Sequence, residues 1–196
     1  MMNRTLLRSI LSLAALTLTV ASTAMAADTY KVDPVHSSAQ FRIRHLGVSN
    51  VTGHFTEFSG EVTLDAADAT KNAVQMEIKT ASIDTDNEAR DKHLESADFF
   101  NVEKFPAMTF KSTSFKKSGD ATFDVKGDFT LLGVTKPVTV SVEQVGTGKD
   151  KDGNALVGFE TTFTIKRSDY GMTKMVGASL IGDEVKITVA VECGKK

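Results

Sequence analysis

ATFDVKGDFTL, residues 121–131, is the stretch that decides the fold. Apolar and polar residues alternate along it with a period of two, as they do along a strand with one buried face. The apolar members that share one face are Phe123, Val125, Phe129 and Leu131. The charged residues between them take the opposite face. This stretch therefore predicts a β-strand that faces a core on one side and water on the other.

The same alternation recurs on both sides of this strand. It is found in residues 38–45, 73–80, 138–142, 157–165 and 185–191. Turn signals separate the strands at Ser118–Asp120, Gly133–Pro137 and Asp152–Gly153. The alternation slips between His54 and Phe58, which predicts a β-bulge that bends the strand.

The number of strands bears on how the sheet closes. The chain from Thr29 onward holds about eight strands, and a flat antiparallel sheet of that size would leave two edges exposed. Closure into a barrel is favoured, with a β-sandwich as the alternative. A barrel of eight strands is either filled by its own side chains or wide enough for one small ligand. The amino-acid composition does not decide between a filled interior and one that holds a ligand.

One long segment, residues 84–106 (DTDNEARDKHLESADFFNVEKFP), does not read as strand. Asp84 or Asp86 can cap a short helix there, and helical spacing places Arg90 and His93 on the face that approaches the barrel. The predicted fold is all-β: a single antiparallel eight-stranded barrel with one short helical insert at about residues 84–100.

Residues 1–26 have the pattern of a cleaved signal peptide. Arg4 and Arg8 precede an apolar run, and Ala24-Met25-Ala26 is a small-x-small cleavage site. The sequence predicts an exported protein that has no stable membrane insertion, with residues 27–196 as one domain. The formal net charge is −2 and would become −4 without the two leader arginines, which argues against a general nucleic-acid or anionic-membrane surface. Cys193 is the single cysteine and follows the apolar parity of the last strand, so we interpret it as a small buried hydrophobe.

Five side chains are candidates for contacting the polar head of a ligand. They are His45, Arg90, His93, Arg167 and Lys174. His45 is equally well interpreted as a core histidine, Arg90 and His93 as residues that pin the insert, and Lys174 as a solvated loop lysine.

Arg167 follows the inward parity of its strand, and a buried arginine needs an anion. We favour a structural ion pair with Asp91, Asp98 or Asp169 over a ligand phosphate.

The inward faces of the strands supply candidates for the lining of an internal tunnel. They are Phe41, Ile43, Met76, Ile78, Met108, Phe110, Phe123, Val125, Phe129, Val140, Phe159, Phe163, Ile187 and Val189.

Neither metal chemistry nor catalysis has a recognisable motif in this chain. His36, His45, His54 and His93 lack paired ligand spacing, and neither a nucleophile elbow nor a phosphate-binding glycine loop occurs. We therefore predict no metal, no cofactor and no catalytic residue.

Six segments, in order along nearly the whole chain after residue 26, resemble the YceI-like family. They are Tyr30–Ser37, Phe41–Gly47, Arg90–Phe100, Gly127–Pro137, Arg167–Gly171 and Gly182–Val185. The resemblance implies a lipocalin-like barrel domain over residues 27–196, exported to the bacterial periplasm, with a long polyisoprenoid or similar lipid in an internal tunnel. It also implies a binding or carrier role without an established reaction. The Gly-x-Trp signature of true lipocalins is absent, so the likeness to lipocalins is one of architecture.

Three functions follow as hypotheses. The first is a periplasmic carrier of an isoprenoid or another long-chain lipid. The second is an enzyme acting on a lipid or quinone precursor through His93 with Asp91 or His45, and the third is an exported stress protein whose barrel is solid. The sequence leaves the oligomeric state open, with a homodimer as one of the options.

Overall fold

The computed structural model describes residues 27–196, so the predicted signal peptide at residues 1–26 lies outside the described residues. Within the described part there are ten strands and one α-helix. The first strands are β1 (Asp28–His45), β2 (Ser49–Phe55), β3 (Phe58–Leu64), β4 (Ala73–Lys79) and β5 (Ile83–Asp84). The helix α1 (Glu88–Glu95) follows, and then β6 (Ala107–Lys117), β7 (Thr122–Leu131), β8 (Val134–Lys149), β9 (Ala155–Lys166) and β10 (Ile181–Lys195). Short 3-10 turns occupy Ala69–Lys71, Thr80–Ser82 and Arg167–Tyr170.

Eight of the strands form a closed antiparallel barrel. Neighbours pair in the order β10-β9-β8-β7-β6-β4-β3-β1, and β1 also pairs with β10. The short strands β2 and β5 extend the sheet beside Ala39–His45, the C-terminal part of β1. The predicted barrel is therefore confirmed, and the sandwich alternative is wrong.

The first strand is long enough to serve two partners in turn. Its start, Asp28–Lys31, pairs with β3, while its end, Ala39–His45, pairs with β2. The predicted irregularity between His54 and Phe58 takes the form of a break between β2 and β3 rather than a bulge. Because of this break, β2 pairs with the end of β1 and β3 pairs with its start.

The hairpins form where the turn residues predict them. Leu132 and Gly133 both have positive φ, 52° and 72°, between the paired residues Leu131 and Val134, which is the geometry that suits a two-residue hairpin. In the β8–β9 turn, the Asp150 carboxylate accepts hydrogen bonds from the backbone of residues 152 and 154. All of these hairpins join antiparallel neighbours.

Helix α1 lies across one end of the barrel. Its N-cap is Asn87, whose side chain accepts a hydrogen bond from the Arg90 backbone N–H at 2.9 Å, so the predicted caps Asp84 and Asp86 are wrong. Asp84 instead accepts from the Asp86 backbone N–H at 2.8 Å, which turns the chain before the helix starts. Among residues 27–196 there is no helix with the length and apolar character that crossing a bilayer requires.

The opposite end of the barrel is closed by side chains. One cluster there is built around Val32, Val62, Val157, Phe159 and Cys193. The predicted burial of the cysteine is confirmed, and burial raises the pKa of its thiol to about 11. The barrel thus has a packed end and an end covered by loops and the helix.

Candidate functional site

A cavity of about 520 Å³ lies inside the barrel. It opens at the end where β1, β7 and β9 finish and where the α1 segment lies. Its wall is almost entirely apolar, because the inward side chains of the strands are Phe, Val, Ile and Met. A barrel filled by its own side chains, the interior required by the solid-core alternative, is not what the structure has.

Most of the predicted lining residues lie at this wall. They are Phe41, Ile43, Met76, Ile78, Met108, Phe110, Phe129, Val140, Phe159, Phe163, Ile187 and Val189.

Two predicted lining residues do not reach the cavity. Phe123 and Val125 pack with Phe115 and Val140 in a cluster toward the closed end. Both point inward as predicted, but they lie at the beginning of β7, below the floor of the cavity. The period-two pattern predicts on which face of a strand a residue lies. It does not predict how far along the barrel axis that residue lies.

Glycines on the inward faces make room for aromatic rings. A Cβ atom at Gly127 would lie 2.4 Å from the Phe110 ring, and one at Gly53 would lie 2.5 Å from the Phe41 ring. Such distances are impossible for real side chains, so the missing Cβ atoms at the two glycines leave the space that the two rings occupy. The rings therefore line the cavity without filling it.

Arg90 lies at the mouth and ties the insert to the barrel. Its Nε donates to the Thr85 hydroxyl at 2.7 Å, and its Nη2 donates to the Thr85 carbonyl at 2.6 Å. The buried Thr85 in turn donates from both its hydroxyl and its backbone N–H to the Asp91 carboxylate. Arg90 also lines the cavity, so its position suits both pinning the insert and contacting a head group.

His93 and Lys174 meet at a shared carboxylate. The Lys174 Nζ lies 3.0 Å from Asp98 Oδ2, and the His93 Nε2 lies 3.8 Å from the same oxygen. The His93 ring stands edge-on to the buried Phe99 with centroids 5.0 Å apart. His93 lines the cavity, whereas the exposed Lys174 is not among the residues at its wall. The acid–base pair of His93 with Asp91 is not formed, because Asp91 is engaged by Thr85.

His45 ends β1 at the mouth. Its ring lines the cavity opening and is exposed to solvent rather than buried in the core. With Arg90 and His93 it places three polar side chains at the opening, above an apolar interior.

Arg167 is buried, with 2% of its surface exposed, and it is held by four backbone carbonyls. Its Nε donates to Gly182 O at 2.9 Å, and its Nη1 donates to Met172 O and Lys174 O at 3.1 and 2.8 Å. Its Nη2 donates to Ile181 O at 3.3 Å. The predicted ion pair with Asp91, Asp98 or Asp169 is wrong; the guanidinium instead fastens the β9–β10 loop to the rim.

The carboxylate whose charge acts on this guanidinium is that of Asp183, which was not among the predicted partners. Burial lowers the pKa of Arg167, and the Asp183 carboxylate acts in the opposite direction. Burial alone would raise the pKa of Asp183, but hydrogen bonds from the Ser168 backbone and hydroxyl hold that pKa below its usual value. The Asp183 carboxylate therefore fixes the start of the loop through the two hydrogen bonds from Ser168.

Comparison with known proteins gives the family. The model of the YceI-like domain matches residues 30–193. The chain belongs to the YceI-like family. A UPF0312 protein of Ectopseudomonas mendocina (strain ymp) is 43% identical over 171 residues, which cover 86% of this chain and 88% of that protein. Protein YceI of Escherichia coli O157:H7 is 44% identical over 174 residues, covering 88% and 89%.

Solved structures share the barrel of this YceI-like chain. BcnA of Burkholderia cenocepacia superimposes with a TM-score of 0.74 at 27% identity, over 82% of this chain and 98% of BcnA. A polyisoprenoid binding domain from Saccharophagus degradans superimposes with a TM-score of 0.65 at 18% identity, over 85% and 98%. The second likeness concerns the fold alone.

Outside the cavity, the YceI-like domain brings together three titratable groups that the sequence analysis did not group. His36 Nδ1 lies 2.7 Å from Asp33 Oδ2 and 3.8 Å from Glu192 Oε1. The hydrogen bond with Asp33 raises the pKa of His36, and the same bond lowers the pKa of Asp33. The cluster lies where the pairing of β1 with β10 shifts register after Asp33, so it braces an irregular part of the wall. The residue spacing D-x-x-H was the only signal in the sequence for it.

Proposed function

We propose that this protein is an exported, periplasmic carrier that holds the apolar tail of an isoprenoid or similar long-chain lipid inside its barrel. The observation that carries the proposal is the cavity of about 520 Å³ with a mainly apolar wall and with His45, Arg90 and His93 at its mouth. The volume falls within the range of small-molecule sites, which is about 300–1,000 Å³.

An apolar cavity of this size calls for an apolar occupant. It is about 3.5 times the volume of an engineered apolar cavity of 150 Å³ that stays dry and takes up apolar ligands. At about 24 cal/mol per Å³ of void, leaving 520 Å³ empty forgoes on the order of 12 kcal/mol. That is comparable with the whole stability of a typical domain. Each methylene of a tail buried there recovers about 0.8 kcal/mol.

The mouth supplies what an amphipathic lipid needs. Arg90, His93 and His45 stand at the opening, where they can donate hydrogen bonds to a head group that stays in contact with water. The interior can accept any tail of suitable width, since apolar contact is non-directional. We therefore infer a carrier that selects its cargo mainly by the head and the tail width. No catalytic arrangement is part of this proposal.

The family relationship supports the proposal as far as the fold. The Saccharophagus degradans domain, a polyisoprenoid binding domain, has the same fold at 18% identity.

The test is to identify what the exported protein holds. We expect native mass spectrometry of the gently purified protein to show a bound species that organic solvent removes and that contains a long hydrocarbon chain. The polypeptide mass should correspond to a chain beginning at Ala27. A protein that carries no such species, and that takes up neither a polyprenol nor a fatty acid after delipidation, would refute the carrier.

A further inference from the structure

Exposed apolar side chains surround one side of the cavity mouth. Val48 is 80% exposed, Leu46 is 48% exposed and Leu180 is 42% exposed. The Leu46 backbone N–H donates to Leu180 O at 2.6 Å, so the β1–β2 turn and the β9–β10 loop lie side by side. Met175, which lines the cavity, is also exposed on this loop. We call these four residues the apolar rim.

Basic side chains lie on the outer wall beside the rim. Arg42 and Lys186 are directly opposite each other in the β1–β10 pairing. Arg44 shares the parity of Arg42 two residues nearer the mouth, where it also borders the cavity. All three are exposed, and none of them has a carboxylate within 4.0 Å among residues 27–196. Glu184 and Glu192 are the acidic residues that share the parity of Lys186 on β10, and Glu184 is the one nearer the mouth. We call Arg42, Arg44 and Lys186 the basic cluster.

The basic cluster is unfavourable for the isolated protein. Like charges directly opposite each other in an antiparallel pair repel and destabilise the sheet. The repulsion is relieved by an external anion, and the adjoining apolar rim indicates that this anion belongs to an amphipathic surface. The overall charge of −2 is that of the whole chain, whereas three exposed cationic side chains lie together on this face.

We propose that the apolar rim and the basic cluster dock the cavity mouth on the surface of an anionic lipid bilayer, with the rim inserted among the head groups. The proposal rests on the carrier function, because a lipid tail that leaves the cavity needs an apolar destination beside the mouth. Anionic head groups complement the basic cluster, and the rim is continuous with the cavity wall through Met175. A second copy of the chain fits less well, since a twofold contact would bring two basic clusters together.

The chain contains no tryptophan, so a Val48→Trp variant carries a single fluorescent reporter at the rim. We expect its emission to shift to shorter wavelength with vesicles of phosphatidylcholine and phosphatidylglycerol, and to shift less with phosphatidylcholine alone. Added salt should weaken the binding to anionic vesicles, because exposed charges are screened. Unchanged emission with both vesicle types would overturn the proposal.

Matched variants separate the two parts of the surface. In vesicle co-sedimentation, the Arg42→Gln, Lys186→Gln double variant should partition about 25-fold less to anionic vesicles, at about fivefold per basic residue removed. Val48→Ser should weaken binding to both vesicle types. Val35→Ser is the control, because Val35 is 81% exposed but lies outside the rim, and it should bind as the unmodified protein does. Equal loss with the control would overturn the proposal.

The lipid content of each sample is measured in parallel. If the protein retains its lipid but does not bind vesicles, the docking proposal is refuted and the carrier function is not. A protein that binds vesicles but never holds a lipid refutes the carrier function. If sedimentation equilibrium shows a dimer that Val48→Ser dissolves, and vesicles are not bound, the rim is a contact between copies and the docking proposal falls.

Discussion

A larger side chain placed within the cavity should remove the lipid and leave the protein stable. Val189 lines the cavity from the middle of β10, between Ala39 and Thr161 on the neighbouring strands. Val189→Phe adds four carbon atoms to the side chain. Because the space beside it is open in the lipid-free protein, the ring can be accommodated without displacing the wall.

The size of the effect follows from the volume that the ring takes. Four carbon atoms exclude about four methylenes of a tail, and at about 0.8 kcal/mol each the loss is about 3 kcal/mol. This corresponds to a roughly 200-fold weaker affinity. The unfolding midpoint of the lipid-free variant should equal or exceed that of the lipid-free parent, since the ring covers apolar surface that was open.

The same substitution at the closed end is the matched control. Val125 is completely buried and lies outside the cavity, so Val125→Phe overpacks a filled region at a cost of about 1–3 kcal/mol. Its unfolding midpoint should fall by about 2–12 °C. Both variants are assayed by calorimetry after delipidation and by titration with a polyprenol. If Val189→Phe is destabilised as much as Val125→Phe, the barrel is not hollow at this position. If Val189→Phe binds the polyprenol as tightly as the parent does, the cavity is not the site that holds the tail.

Three other substitutions test the parts around the cavity. Arg167→Met leaves four backbone carbonyls without their donor, so urea unfolding should show a loss of at least about 3 kcal/mol; a loss below about 1 kcal/mol would mean that the loop does not depend on the guanidinium. Thr85→Val removes the hydroxyl between Arg90 and Asp91, and amide hydrogen exchange in residues 85–95 should accelerate while exchange in β7 is unchanged; uniform acceleration would contradict a local role. For His36→Asn, the raised pKa of His36 means that its contribution to stability is present below the ordinary value of 6.5 and is lost as pH rises through the raised pKa in the folded protein. The variant should therefore unfold at lower urea than the parent at pH 5 and at the same urea at pH 9, and a pH-independent difference would exclude the ionised pair.

The barrel was predictable from the sequence because its strands repeat one simple pattern. In β7 and β10 the inward apolar residues alternate without interruption, and each hairpin carries its own turn residues. These are local signals, and each one can be interpreted without knowledge of distant contacts. The break near Thr56 was also visible, since Phe55 and Phe58 cannot share one face of a regular strand.

The sequence did not predict which inward-facing residues line the cavity and which pack in the closed end. Phe123 and Phe129 have the same parity in the same strand, yet Phe123 packs in the closed end and Phe129 lines the cavity. The difference depends on which residues of other strands lie beside them, which is set by the strand tilt and register of the closed barrel. Sequence patterns carry little of that information.

The partner of Arg167 was missed for a related reason. A buried guanidinium predicts acceptors, and carboxylates are the acceptors that a sequence displays by residue type. Backbone carbonyls exist at every position, so their convergence from residues 172, 174, 181 and 182 becomes visible only in the folded loop. The same limit applies to Asn87, which displaced the two aspartates expected as caps because the chain turns at Asp84–Asp86 before the helix begins.

The construction of the mouth indicates which part of the molecule must move when a lipid leaves. Ten methylenes buried in the cavity contribute about 8 kcal/mol before the cost of ordering the tail is subtracted, and this contribution is lost when the tail leaves. Strands β7 and β8 are paired from Thr122 to Leu131, whereas β8 and β9 pair only from Val142 and Thr161 to Lys149 and Ala155, so these two strands part towards the mouth. Helix α1 has eight residues and none of them is buried, and a helix this short is marginal in isolation. It is held by the Thr85 hydrogen bonds and by the rings of Phe99 and Phe100 that follow it. Segments with so few buried contacts open at a fraction of the global unfolding free energy, so we expect the rate of lipid release to follow the stability of this segment and not that of the barrel.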